Sequence, residues 1–273
     1  MKKFFATLSL FIAFIAITYP QTTYRRIVSL VPSVTQSLYL LEAQDLLVGC
    51  TNYCKAAEKD HKPIVATAIK SNIEKIVTLE PDLVLGSGLT DPKDVATLEK
   101  LGIKVIILPS PRSFDEICTQ FTELGRWIGR EQQAADIVSE SREKVRRTSE
   151  AIRWQKTPKI FFQIGADPIF AVTENSFMAD FITFLKGENI AKELNHGTVG
   201  REFVLSKNPD YIIITTMGMI GEEEKKIWSR YRRLKATRHH HILIIDSDLA
   251  CEPTPLTFAT TLEKLYEMIF PKY

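Results

Sequence analysis

Ile73-Glu-Lys-Ile-Val-Thr-Leu-Glu-Pro-Asp-Leu-Val-Leu85 aligns without a gap on Arg201-Glu-Phe-Val-Leu-Ser-Lys-Asn-Pro-Asp-Tyr-Ile-Ile213, with Glu, Pro and Asp recurring at an offset of 128 residues. Each copy reads as the same unit. A short helix carries an acidic residue, Glu74 or Glu202, in its first turn, where the helix dipole favours a carboxylate. The residue before proline is driven away from the α region, so Pro-Asp ends the helix in a turn. An apolar run suited to a buried strand follows. A Pro-Asp turn before a strand is common by itself, but it does not explain the matching glutamates, which point to a structural repeat.

Outward from each copy, apolar runs alternate with helical patterns. In the first half, strands are expected at Ile27–Leu30, Leu46–Gly49, Leu83–Leu85 and Lys104–Leu108, with helices at Thr35–Leu41, Ile73–Leu79 and Pro92–Leu101. After Pro158 the alternation restarts, with strands at Ile160–Phe162, Tyr211–Thr215 and Ile242–Ile245 and helices at Phe177–Leu185 and Thr257–Ile269. Val, Ile and Leu without polar alternation suit strands covered on both faces, which makes the fold class α/β with mostly parallel sheets in two lobes. Between the lobes, Glu131 to Trp154 contains no Gly or Pro and places Ala134, Ile137/Val138, Ser141, Val145, Thr148 and Ile152 at spacings of three and four. That is one amphipathic helix, about 36 Å long at 1.5 Å per residue, and it can act as a strut. The resulting division is 1–20 as a leader, 21–130 as the N-terminal lobe, 131–156 as the interlobe helix and 157–273 as the C-terminal lobe.

The composition fits this reading. The chain has 273 residues, 45% of them hydrophobic and 25% charged, which are globular values and exclude disordered, collagen-like and fibrous classes. Residues 1–20 place Lys2 and Lys3 before an apolar run from Phe4 to Tyr19, the layout of a secretory signal peptide, and the run is too short for a membrane span. The formal net charge of +2 resides on those two lysines, so the exported chain is neutral and no basic stripe marks a nucleic-acid partner. Cys50, Cys54, Cys118 and Cys251 would enter an oxidising compartment, where buried thiols or one disulfide are expected and the sequence selects no pairing.

Set in order, Arg26-Ile-Val-Ser-Leu-Val-Pro-Ser-Val-Thr35, Gly49 to Tyr53, Asn72 to Val84, Leu101-Gly-Ile-Lys-Val105 and Arg201-Glu-Phe-Val-Leu205 resemble the substrate-binding proteins of ABC importers for metal chelates. That group includes the periplasmic cobalamin-, siderophore- and haem-binding proteins. The resemblance implies two Rossmann-like lobes joined by one long rigid helix, the class III periplasmic binding fold, with ligand held between them. It implies a monomeric carrier without catalytic residues or a cofactor of its own, whose cargo itself contains cobalt or iron. Glu74 and Glu202 look like the pair of exposed glutamates, one per lobe, that meet arginines of an inner-membrane permease dimer.

For the cleft, matching positions suggest Pro32, Ser33, Asn52, Tyr53, Arg112, Phe170, His196, Asp248 and Glu252. Loop ends after strands are the usual place for α/β binding sites. Tryptophans that wall cobalamin sites in this family would fall at Ala68, His196 and Leu249, so that pattern is incomplete, although Tyr53 and Phe170 keep aromatic walls. Tyr53 and His196 are both residue types that serve as axial haem ligands. His239-His240-His241 directly precedes an apolar strand and reads as a turn. Two other classes stay open: a secreted hydrolase with a cleft active site, although no Gly-x-Ser-x-Gly, phosphate loop or His-Glu-x-x-His occurs, and a direct metal-ion binder using His61 and His196.

Overall fold

The computed structural model describes residues 23–67, 70–216 and 220–271. The leader and Ala68 lie outside the described residues. In the first lobe the strands are β1 (Ile27–Ser29), β2 (Leu47–Thr51), β3 (Ile64–Ala66), β4 (Leu83–Ser87) and β5 (Lys104–Leu108), and the crossover helices are α1 (Pro32–Leu40), α2 (Ile73–Thr78) and α3 (Pro92–Lys100). The sheet order is β3-β2-β1-β4-β5, and every neighbouring pair is parallel. Ile27, Val28, Leu83, Val84 and Leu85 are fully buried, as strands covered by helices on both faces must be.

Two helices follow, α4 (Phe114–Ile128) and α5 (Glu131–Ala151). The second lobe comprises β6 (Lys159–Ala166), β7 (Ile169–Ala171), β8 (Glu188–Asn189), β9 (Thr198–Val199), β10 (Tyr211–Thr216) and β11 (Ile242–Asp246), with α6 (Ala179–Phe184), α7 (Arg201–Lys207), α8 (Ile220–Ser229), α9 (Lys235–Arg238), α10 (Ser247–Ala250) and α11 (Pro255–Ile269). Its order is β11-β10-β6-β7-β9, with β8 beside β6. β11, β10, β6 and β8 pair in parallel, and β7 and β9 are added antiparallel.

The repeat is structural as well as sequential. The Asp82 carboxylate accepts the backbone N–H groups of Arg25 at 2.7 Å and Arg26 at 3.0 Å, and the Asp82 N–H donates to the Arg26 carbonyl at 2.9 Å. In the second copy the Asp210 carboxylate accepts the Lys159 N–H at 2.8 Å, and the Asp210 N–H donates to the Lys159 carbonyl at 2.8 Å. Each aspartate thereby fastens the start of its lobe's central strand, β1 or β6. The residues before the two prolines, Glu80 and Asn208, also match, with φ of 45° and 47°. Both are left-handed turns that stop a helix ahead of Pro81 or Pro209.

The helix forms over Glu131–Ala151 and stops short of the expected Trp154, because Ile152 turns to extended backbone; on its expected stripe Ala134, Ser141, Val145, Thr148 and the capping Ile152 are buried, and Ile137 and Val138 are half-buried. Ala134 belongs to the core of the first lobe and Val145 and Ile152 to that of the second, while Val138 packs against both. The strut has a companion that the sequence reading does not place. α4 contributes Phe114, Ile117 and Cys118 to the second core and Phe121, Leu124 and Ile128 to the first. Gly129, at φ +70°, turns α4 into α5, and a Cβ on Gly125 would lie 2.6 Å from that of Ala134, so glycine sets how closely the helices approach.

Candidate functional site

In a parallel sheet all carboxyl ends face one way, and all five strands of the first lobe end at one cavity of about 520 Å³. Val31, Pro32 and Ser33 follow β1, Tyr53 follows β2, Thr67 follows β3, Leu89 to Asp91 follow β4, and Pro109 to Pro111 follow β5. The second lobe closes the opposite side with Asn175-Ser176-Phe177 and Cys251-Glu252-Pro253. The walls are largely aliphatic, prolyl and aromatic, with hydroxyl groups spaced among them. Among the described residues, the charged side chains of the lining are Lys70, Asp91 and Glu252. Tyr53, 53% exposed, and Leu89, 86% exposed, leave large apolar surface open to a ligand.

Glu252 is the perturbed group of the cavity. Its pKa is raised from the ordinary 4.5 to about 7, first by burial and then by Asp248, Cys54 and Asp246, with Lys55 opposing them. Beside it, Lys55 Nζ of the first lobe donates to both carboxylate oxygens of Asp248 in the second, at 2.6 and 2.7 Å. This ion pair bridges the lobes at the cavity edge. Its hydrogen bond to Asp248 is the leading cause of a raised Lys55 pKa.

Of the residues expected at the ligand, the structure brings Pro32, Ser33, Tyr53 and Glu252 to the cavity wall. Asn52, Arg112, Phe170, His196 and Asp248 are off that wall. Asn52 is exposed in the turn after β2, where its N–H donates to the Ala66 carbonyl at 3.1 Å. The Arg112 guanidinium lies 3.7 Å from the Glu116 carboxylate, which also accepts the Arg112 N–H at 2.7 Å. Asp248 is engaged by Lys55. Phe170 packs over Gly197, and Ala171 donates to the Gly197 carbonyl at 2.8 Å, so Phe170 and the exposed His196 form a separate rim on the second lobe. Leu249 is half-buried beside Asp246, also off the wall. The loops after β4 and β5, Lys70 and Asn175 to Phe177 are wall residues that the sequence reading did not single out; the strand-end rule applied to β4 and β5 finds the first two loops.

His239 to His241 occupy the turn before β11, with His241 stacked on Tyr211 at 4.2 Å between ring centres. Among the described residues, no three His, Cys, Asp or Glu side chains converge in a metal-holding arrangement. Cys50, Cys54 and Cys118 are buried and Cys251 is half-buried, all four as thiols. Glu74 and Glu202 are both exposed in the first turns of α2 and α7.

Residues 27–249 match the family model described as periplasmic binding protein. The chain is 28% identical over 260 residues, 90% of its length and 80% of the other protein, to the uncharacterized ABC transporter substrate-binding lipoprotein YvrC of Bacillus subtilis (strain 168). It is 27% identical over 203 residues, 73% of its length and 72% of the relative, to the vitamin B12-binding protein of Yersinia pestis (strain Pestoides F). Among solved structures, the periplasmic haem-binding protein HutB of Vibrio cholerae superposes with a TM-score of 0.80 at 18% identity, covering 90% of this chain and 99% of that one, which shows a shared fold.

Proposed function

The chain belongs to the periplasmic binding protein family, and from that premise we propose that it is the solute-binding component of an ABC importer, capturing a metal chelate in the cleft and handing it to a permease dimer. The observation that carries this reading is the cleft itself, an apolar, hydroxyl-dotted cavity walled by both lobes. Such walls hold the organic periphery of a chelate by burying apolar surface, with a few polar groups setting its orientation. Relatives of this family are named for vitamin B12 and haem, and cobalamin, haem and ferric siderophores are the cargo classes of this proposal. One lysine against two carboxylic acids gives the wall no excess positive charge, which favours a neutral or cationic face, such as the amide-fringed ring of a corrinoid, over a polyanionic ferric catecholate.

Delivery follows from the duplicated units. A protein that presents one exposed carboxylate per lobe, Glu74 and Glu202, suits a partner with two-fold symmetry, and complementary exposed charge governs encounter. The leader-like residues 1–20 support export to the periplasm, and no helix of the described residues is long and apolar enough to cross a membrane; the working form in this proposal is a monomer.

The test is a visible spectrum of protein purified from its own compartment, followed by fluorescence titration with cyanocobalamin, haemin and a ferric catecholate. Saturable binding of one of the three is expected, strongest for the corrinoid. Failure of all three would overturn the chelate reading. Reversing both Glu74 and Glu202 to Arg is expected to abolish uptake while leaving that titration unchanged; normal uptake would remove them from the docking role.

A further inference from the structure

The even charge count of the whole chain conceals a local excess. From Lys225 to Ile245 the sequence has seven Lys or Arg and no Asp or Glu. Lys225 and Lys226 are in α8, Arg230, Arg232 and Arg233 in the turn after it, and Lys235 and Arg238 in α9. All but Lys235 are exposed. Among the described residues, Lys235 is the member of this set with a carboxylate partner, its Nζ lying 3.2 Å from Asp210. The Ala236 N–H donates to the Pro209 carbonyl at 3.2 Å and the Lys235 N–H to Asn208 Oδ1 at 3.0 Å, which ties α9 to the residues that lead into β10. The excess therefore sits at the amino ends of β10 and β11, the end of the second lobe away from the cleft.

The turn that presents the arginines is firmly seated. Trp228, Leu234 and Ala236 are buried, Tyr231 packs on Trp228 at 5.7 Å between ring centres, and the Tyr231 and Leu234 N–H groups donate to the Trp228 and Tyr231 carbonyls. Beside it is an open hollow of about 460 Å³ in which the half-buried Leu205 and Tyr231 lie among Arg232 and Arg233. Exposed Lys207, at the end of α7, extends the positive surface. The matching end of the first lobe is built differently. Glu58, Lys59, Asp60 and Lys62 precede β3, and Glu99, Lys100 and Lys104 lead into β5, so both signs are interspersed there.

We propose that this end of the second lobe is a docking surface for an anionic phospholipid membrane. Guanidinium groups bind phosphate oxygens in pairs, and a cluster of four to eight cations is the usual scale of such a surface. The cations are spread over α7, α8, α9 and one turn rather than converging on a point, which suits many phosphates lying in a plane and not one small anion. Leu205 and Tyr231 between the arginines fit the headgroup boundary, where a long cationic arm can reach phosphate while an apolar body stays beneath it. A fully hydrophilic polyanion would leave that hollow unused. Because the strand ends that carry the patch are opposite those that form the cleft, a molecule held this way keeps its cleft turned from the lipid and open to cargo.

The experiment is cosedimentation of protein purified from its own compartment with vesicles of phosphatidylcholine alone, or of phosphatidylcholine with about one-third phosphatidylglycerol. The expected result is binding to the anionic vesicles only, abolished by high salt. The triple variant Arg230→Gln, Arg232→Gln, Arg233→Gln is expected to bind them about a hundredfold more weakly, roughly fivefold per arginine. The first-lobe variant Lys93→Gln, Lys100→Gln is expected to bind as wild type does. No binding to anionic vesicles, equal binding to both kinds, an undiminished triple variant or an equal loss in the first-lobe variant overturns the proposal. So does retention on immobilised polyphosphate without vesicle binding, which would assign the patch to a soluble polyanion. None of these readings depends on which cargo the cleft binds.

Discussion

Replacing Glu252 with Gln removes a carboxyl group that the cleft holds in an unfavourable place. Its pKa rises from 4.5 to about 7, chiefly through burial, with Asp248, Cys54 and Asp246 facing it and Lys55 opposing them. An acid whose folded pKa lies above the unfolded value contributes its full stability below the unfolded value and loses it as pH climbs through the folded one. Wild type is therefore expected to weaken between about pH 4.5 and 7 relative to the Gln variant, which has no such titration. At about 1.36 kcal/mol per decade the full displacement corresponds to about 3 kcal/mol. Glu252 is only half-buried, and screening by water reduces this to roughly 1–2 kcal/mol. At roughly 2–4 °C per kcal/mol for a protein of this size class, the variant should melt a few degrees higher at pH 8 and level with wild type at pH 4. Thermal unfolding followed by circular dichroism across that range measures it. A difference that stays constant with pH, or a wild type that is the more stable at pH 8, refutes the assignment of the strain to this carboxylate.

Tyr53→Ala should weaken cyanocobalamin binding about fivefold, the loss of roughly 1 kcal/mol of aromatic contact, whereas Arg112→Ala should not, since Arg112 sits off the wall beside Glu116; equal affinities in fluorescence titration would take Tyr53 out of the site. Asp82→Ala and Asp210→Ala should each lower the urea midpoint by the equivalent of roughly 0.5–1.5 kcal/mol, because each removes the carboxylate that accepts N–H donation at the start of a strand. An effect at only one of them would deny that the two pins are equivalent. Gly125→Ala should cost about 1–3 kcal/mol by forcing α4 from α5, and an unchanged melting temperature would show that the helix pair yields freely.

Much of the fold was legible because its signals are local. Ile27-Val28, Leu83 to Leu85 and Ile212 to Ile214 are uninterrupted apolar runs and became buried parallel strands. The Pro-Asp repeat announced two equivalent turns, and its aspartates do equivalent work at Arg26 and Lys159. α4 also carried a signal, with Phe114, Ile117, Cys118, Phe121, Leu124 and Ile128 at spacings of three and four. What its pattern could not show is that one stripe divides between two cores. The cleft was less legible, because its walls are assembled by long-range geometry. Lys55 and Asp248 lie 193 positions apart and nothing near either predicts the other. Arg112 was a different case. Ser113 accepts the Glu116 N–H, as its Ser-x-x-Glu spacing suggests for a helix start, and that local arrangement draws Glu116 to Arg112 rather than leaving the guanidinium for cargo.

The α4–α5 hairpin has a mechanical consequence. Since its side chains are shared by the interiors of both halves, pulling the halves far apart would strip apolar surface from each, and such a joint resists wide swinging. Such a joint is expected to leave little room for a large jaw-like closure, so that the proposed capture of a ligand would spend little energy on reshaping the protein. Heating should likewise melt the molecule as one cooperative body, with a single calorimetric endotherm in place of two.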